Sequence, residues 1–295
     1  MSSVSKINDN PPPGYSLFQE GRREILVRNE YKDVLRHQGL LDPSKFWEHT
    51  DSFTHMMGRG EVLLFTGHGE VAVRKYRHGG LLRRLTVDTF MFGSRPFKEV
   101  EVTEKAKSAG IPTLEILAAI IERERWGRYR GYLITRYLPR SVDLMQYLSR
   151  QPKGKKRREA IEKAGEVMRK MHQLGIYHAD LHLKNILVEE RETPKVYLID
   201  FDKSKTYSYL NPSKRMKNLK RLDRSAEKLR EAGLALTKKD KDAFCHAYAK
   251  EDQEIRPFIR AYCVRYRWYK LLYRGGWWIG RILSPRQRPS RKSVM

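Results

Sequence analysis

His178-Ala179-Asp180-Leu181-His182-Leu183-Lys184-Asn185, followed by Leu198-Ile199-Asp200-Phe201-Asp202, carries the densest local signal in this 295-residue chain. Asp180 and Asn185 stand five residues apart, and Asp200 follows Asn185 by fifteen. HADLHLKNILVEE and KVYLIDFDKS read as a loop followed by two short strands, because β-branched and aromatic runs bounded by polar residues have that character. Two carboxylates and one amide, all hard oxygen donors, are thus offered by one loop and the next strand end.

Outward from this stretch the pattern changes twice. Between Leu138 and Gln173 it is helical: SVDLMQYLSR and the run from Arg157 to Gln173 predict two helices, separated by the basic loop PKGKKRR. Before Leu138 it has strand character. EVLLF (61–65), a Gly67–Gly69 turn and EVAVRKY (70–76) predict a hairpin, with Gly58-Arg59-Gly60 as a loop on a neighbouring strand. RPFKEVEVTEKAKSA (95–109) is helical in composition, with Pro96 near its start and Gly110 just past its end. IPTLEILAAIIERE and YRGYLITRYL predict two more strands around a polar turn at 126–130. Residues 14–47 predict a small appendage of one or two strands and a helix, and everything beyond Asn211 is helical or irregular.

Sixty Lys plus Arg against 35 Asp plus Glu give a formal net charge of +25, which calls for a polyanionic partner: nucleic acid, an anionic membrane surface or a phosphorylated substrate. From Lys203 to Met295 there are 25 basic and 8 acidic residues, so this third of the chain holds +17 of the excess. A hydrophobic share of 40% suffices for a real core, which excludes global disorder. Two cysteines, Cys245 and Cys263, build neither a disulfide scaffold nor a four-ligand zinc site, and free thiols in a reducing cytosol are expected. The N-terminus has no apolar signal region and no run of about 18 uncharged apolar residues occurs, so a cytoplasmic protein is expected.

The H-x-D-x-x-x-x-N loop with an Asp after the next strand resembles the protein-kinase-like fold. The resemblance implies a bilobal α+β chain, with a small antiparallel-sheet N-lobe carrying one helix and a larger, mainly helical C-lobe. It implies ATP in the cleft, Asp180 as the base that orients and deprotonates an acceptor hydroxyl, and Asn185 and Asp200 as Mg²⁺ ligands. His178 is expected to pack behind the metal-binding Asp. In VAVRKY, alternation sets Ala72 and Arg74 on one face and Val71, Val73 and Lys75 on the other. Ala72 suits adenine, so Arg74 is the favoured phosphate contact, with Lys75 the alternative. Glu99 is the candidate helix partner of that basic residue, ahead of Glu101 and Glu104. Gly58 and Gly60 would let backbone approach the phosphates, and Tyr137 and Leu138 fall at the adenine hinge. The corresponding domains are an N-terminal extension (1–50), an N-lobe (51–138), a C-lobe (139–255) and a basic aromatic segment (256–295).

His182 stands where Ser/Thr kinases carry Lys, Asp202 replaces the Gly of the metal motif, and no A-P-E segment follows, which disfavours protein kinases. GRGEVLLF, VAVRKYRHGGLLRRL, SRPFKEVEVTEKAKSAGIPTLE, YLITRYLP, HADLHLKNILV and LIDFDKSK look like the bacterial lipopolysaccharide-core kinases, most similar to 3-deoxy-D-manno-octulosonic acid (Kdo) kinases. This implies ATP-dependent phosphorylation of an inner-core sugar hydroxyl on a lipid A precursor, with Kdo-lipid A as partner, at the cytoplasmic face of the inner membrane. Arg74, Lys75, Arg77, Arg83 and Arg84 would then meet the acidic sugar or lipid A phosphates, or form a solvated face. A core heptose kinase, or another small-molecule or protein phosphotransferase, is the alternative. A non-catalytic module is the remaining one.

Residues 256–283 interleave Arg and Lys with Phe258, Tyr262, Tyr266, Trp268, Tyr269, Tyr273, Trp277 and Trp278. Such a segment suits an anionic membrane surface, or equally a helix packed on the C-lobe. Nucleic acid is disfavoured, since no RNA-binding motif accompanies the phosphotransfer residues.

Overall fold

A computed structural model describes residues 10–46, 53–56, 62–65, 70–77, 88–150 and 154–262. In chain order the N-terminal half contains β1 (Tyr15–Glu20), β2 (Arg23–Arg28), α1 (Lys32–His37), β3 (Phe53–Met56), β4 (Val62–Phe65), β5 (Val71–Lys75), β6 (Phe90–Met91), α2 (Arg95–Ser108), β7 (Ile116–Arg123) and β8 (Arg128–Arg136). These strands form one antiparallel sheet in the order β1-β2-β7-β8-β5-β4-β3, with β6 alongside β8. The expected hairpin is present as β4 and β5, paired from Val62 with Arg74 to Phe65 with Val71. Its turn at Gly67–Gly69 and the Gly58–Gly60 loop lie outside the described residues, as do Arg83 and Arg84.

Both faces of this sheet are covered, which explains why ILAAII in β7 is apolar without alternation. Against one face pack Leu35, Leu40, Leu41 and Phe46 from the segment after β2, and against the other Phe97 and Val100 of α2. A bulge at Leu117 turns both Leu117 and Ala118 to the same face. The N-terminal segment is therefore not an appendage. β2 pairs with β7 from Arg23–Glu122 to Val27–Ala118, so these strands extend the sheet beyond the expected boundary at residue 50. Sequence patterning cannot reveal this, because the pairing closes over about ninety intervening residues.

The second half contains β9 (Ser141–Asp143), α3 (Leu144–Ser149), α4 (Gly154–Gln173), β10 (Ile176–Tyr177), β11 (Ile186–Glu189), β12 (Lys195–Leu198), β13 (Lys205–Thr206), α5 (Pro212–Glu231) and α6 (Lys238–Ala249). Three local expectations shift. Ser141–Asp143 is a strand hydrogen-bonded to β11, not the start of a helix, and Asp143 instead caps α3 by accepting from the Gln146 amide at 2.8 Å. Gly154 opens α4, so most of the basic run 152–158 lies on a helix. β8 begins at Arg128, inside the expected turn.

The sheet lobe joins the helical one through β9 and through β12, where the Leu198 amide donates to the Pro112 carbonyl at 3.0 Å. Gly175 ends α4 with φ +75°; a Cβ there would sit 1.9 Å from the Tyr207 carbonyl oxygen, so no other residue fits.

The chain divides into two compact units, Met1–Tyr248 and Ala249–Met295. In the second, residues 256–262 are helical, the Ile255 amide donates to Asp252 Oδ1 at 3.2 Å, and the Arg256 guanidinium donates to the Ala249 carbonyl at 3.1 Å. The remainder of the basic aromatic stretch, from Cys263 on, lies outside the described residues. Among the described residues no helix is long and apolar enough to cross a membrane. Cys245 is buried.

Candidate active site

A cavity of about 310 Å³ opens where the two lobes meet. Ala72, Leu133 and Thr135 of the sheet, Tyr137 and Leu138 of the connection, and Leu187 and Leu198 of the second lobe form its largely apolar walls. Arg74, Glu99, Lys184 and Asp200 supply polar groups. Six residues singled out from sequence, Ala72, Arg74, Glu99, Tyr137, Leu138 and Asp200, therefore share one cavity. Lys184 was not among them.

The face alternation of β5 decides the basic pair. Val71 and Val73 are buried in the core, which turns Ala72 and Arg74 the other way. Arg74 Nη2 donates to both oxygens of Glu99 at 2.7 and 2.6 Å, and Nη1 donates to Asp200 Oδ1 at 2.7 Å. Lys75 instead reaches Asp88 at 2.7 Å, outside the cavity. α2 carries Glu99 into place because Pro96 starts the helix directly on the sheet. Gly131 of β8 makes room there, since a Cβ would meet Pro96 Cγ at 2.7 Å.

Glu99 is 3% exposed, so its charge needs every partner it has. The Tyr76 hydroxyl donates to it as well, and the Arg74 guanidinium lies 4.8 Å from the Tyr76 ring centroid. Burial pushes the Glu99 carboxyl up to about 7, against the pull of Arg74. Burial also raises the Asp200 carboxyl, but Arg74 beside it prevails and holds it below the usual carboxylate range. Asp200 has φ +63°, a left-handed conformation that Asp adopts more readily than most residues and that turns the chain sharply after β12. Two residues on, Asp202 pairs with Arg95 at the start of α2, a second tie between the lobes.

The loop before β11 is braced from behind. His178 is fully buried, its Nε2 lies 3.0 Å from the Ile199 carbonyl, and its ring packs on Phe201 at 5.2 Å. Burial holds its pKa down, so it stays a neutral brace next to Asp200. Asn185 Nδ2 donates to the Asp180 carbonyl at 2.9 Å, and among the described residues no group donates to its amide oxygen. The Ile199 amide donates to the Asn185 carbonyl at 3.1 Å, linking the loop to the strand end that bears Asp200.

Asp180 is half exposed, with Arg221 Nη2 of α5 2.6 Å from Oδ1 and His182 Nε2 3.4 Å from Oδ2. His182 and then Arg221 hold its carboxyl well below the usual range, so it is ionised throughout the neutral region. Sequence reading noted His182 only as a departure from another family and missed Arg221, one cation among many on a basic helix.

The sequence profile of the Lipopolysaccharide kinase (Kdo/WaaP) family matches residues 45–248. A 3-deoxy-D-manno-octulosonic acid kinase of Vibrio cholerae is 32% identical over 209 residues, 67% of this chain and 84% of the relative. One from Vibrio parahaemolyticus is 29% identical over 197 residues, 65% of this chain and 79% of the relative. For one from Pasteurella multocida the figures are 33% over 159 residues, 52% and 64%. A solved structure described as WaaP in complex with acyl carrier protein matches with a TM-score of 0.55 over 82% of this chain and 95% of that one, at 19% identity, a likeness of fold. With a bilobal α+β fold of the protein-kinase-like kind and a family match that spans every residue of this cleft, the chain belongs to the lipopolysaccharide kinase (Kdo/WaaP) family.

Proposed function

We propose that this family member is an ATP-dependent kinase that phosphorylates a hydroxyl of the Kdo sugar on a lipid A precursor. The observation that carries the reading is the convergence of Arg74, Glu99 and Asp200 in a cavity that the Asp180–Asn185 loop borders through Lys184. Ala72, Tyr137 and Leu138 line the apolar end and would take adenine. Arg74 would then reach the phosphates, its fork pre-set by Glu99. Gly58 and Gly60, outside the described residues, keep the role of a phosphate-covering loop on sequence grounds.

The donor set suits Mg²⁺, which takes one or two protein oxygens and fills its sphere with phosphates and water. Asn185 offers its amide oxygen and Asp200 a carboxylate of which Arg74 takes only Oδ1. These two residues would hold the ion, which when bound supplies charge neutralisation at the phosphate oxygens. Asp180 would orient the acceptor hydroxyl and receive its proton. The acceptor oxygen bonds to the γ-phosphorus as the β–γ bridging bond breaks, and ADP leaves. A lipid-linked acceptor agrees with peripheral attachment at an anionic inner-membrane surface, for which the net +17 after residue 202 is the support.

The test is incubation with labelled ATP, Mg²⁺ and purified Kdo-lipid A. Label should enter the glycolipid with the wild type and not with Asp180→Ala, and mass spectrometry of the product separates Kdo from heptose as acceptor. Absence of transfer to any core glycolipid would overturn the reading.

A further inference from the structure

The catalytic loop and α5 are clamped together before Arg221 comes into play. Asn218 is fully buried; its Oδ1 accepts from the His178 amide at 3.2 Å and its Nδ2 donates to the His178 carbonyl at 2.8 Å. His172 Nε2 lies 3.0 Å from the same Oδ1, which fixes the amide from a third side. Arg221 is three residues further along α5, on the adjoining turn of the same face. The clamp therefore delivers its guanidinium to the rim of the loop, 2.6 Å from Asp180 Oδ1.

This ion pair has no stabilising task that would explain it. Its side chains are 44% and 50% exposed, a setting in which such pairs contribute little to stability. The contact consumes one of five guanidinium N–H groups, and the rest remain available in a planar fork that matches a carboxylate. Lys217 and Arg224, four residues before and three after, are exposed on the same side of the helix and continue the cationic stripe. Any hydroxyl that reaches Asp180 brings its sugar ring within a few ångströms of Arg221. A neutral sugar would leave that guanidinium without a partner of its own, whereas an acidic sugar would fill it.

We propose that Arg221 is a specificity-determining residue whose guanidinium binds the carboxylate of the acceptor sugar while the neighbouring hydroxyl of that sugar engages Asp180. The proposal rests on the inner-core Kdo reading above and adds to it the group that distinguishes this acceptor from a neutral heptose. The exposed pair with Asp180 acts as a placeholder: it orients the base before the acceptor arrives, and the guanidinium turns its free edge to the incoming carboxylate.

The experiment compares kcat/KM for Kdo-lipid A and for its carboxyl methyl ester, in the wild type, Arg221→Gln and Arg221→Lys. Loss of one charge-assisted bond corresponds to a preference for the acid of about 10- to 100-fold in the wild type. Arg221→Gln should bring the acid-to-ester ratio close to one, and Arg221→Lys should retain part of it. A purely structural defect would lower both acceptors together and leave the ratio alone. The rise in melting temperature on adding ATP and Mg²⁺ checks that each variant keeps its fold and nucleotide cleft. A wild type that labels acid and ester alike overturns the proposal while leaving the Kdo reading standing, and so does a full preference retained in Arg221→Gln. A wild type that labels neither acceptor overturns both.

Discussion

Arg74, Glu99 and Asp200 meet with Glu99 only 3% exposed, whereas Arg221 and Asp180 meet with side chains 44% and 50% exposed. The contacts are equally short, 2.6 Å in both the Arg74–Glu99 and Arg221–Asp180 pairs, so distance does not separate them. Surroundings do. In the first cluster each carboxylate is tied to the guanidinium fork, and Glu99, deeper than Arg74 and Asp200 with side chains 27% and 30% exposed, gains the Tyr76 hydroxyl as well. Removing one partner there strands a charge in a poor solvent. In the exposed pair, water replaces whatever is lost. The first cluster is thus a preformed part of the architecture, and the second is an exposed pair that solvent screens.

The widest gap between the two regions is expected in Asp180→Asn. Transfer should fall by about 10²- to 10⁴-fold, the range associated with a positioned acid or base. Stability should change by less than about 1 kcal/mol, because the lost pair is exposed. Urea unfolding alongside a turnover assay checks both, and a large stability loss would erase the contrast. Glu99→Ala should behave oppositely, costing about 3–5 kcal/mol of stability by leaving Arg74 with one buried partner fewer, and taking activity with it through the fold. Arg74→Lys keeps a positive charge but cannot span Glu99 and Asp200 together. A loss of about 1–3 kcal/mol in unfolding free energy is expected, and a silent substitution would mean that the fork is dispensable.

The smallest effect lies in acid. Asp200 and Asp180 both titrate below the ordinary value of 3.8, so the stability each contributes is present above that value and is lost as pH falls through the lower folded-state value. Arg74→Gln should therefore move the acid-unfolding midpoint upward. Arg221→Gln should move it much less, because solvent screens its pair. Circular dichroism followed from about pH 5 down to about pH 1 spans the range over which such lowered carboxylates lose their stabilising charge. Equal shifts in the two variants would contradict the division between buried and exposed clusters.

Much of this site is visible in the order of residues, and the reasons are local. Asp180, Asn185 and Asp200 sit on a loop and a strand end separated by fixed short spacings. Arg74 rather than Lys75 follows from strand alternation, once Val71 and Val73 are assigned to the core. Glu99 follows from the helix start at Pro96. Ser141–Asp143 escaped as a strand because three residues carry too little pattern, and their extended form is imposed by pairing with β11. The strands of residues 15–28 were legible as strands, but their membership of the main sheet was not. Arg221 and Asn218 were invisible, since α5 is basic along its whole length and nothing local marks one Arg above its neighbours.

The sequence alone determined the chemical inventory: two carboxylates and an amide on one loop and the next strand end, a cation on a strand and apolar residues for a cleft wall. Those features depend on backbone periodicity over a few residues, which is written in the chain. Which cation meets which carboxylate was decided only by tertiary structure. Arg74 and Asp200 are 126 residues apart and Arg221 and Asp180 are 41 apart. Such contacts depend on how a β7 buried on both faces, the Gly131–Pro96 approach and the Asn218 clamp set whole elements against one another. Burial then made one ion pair structural, and exposure left the other to be screened by water.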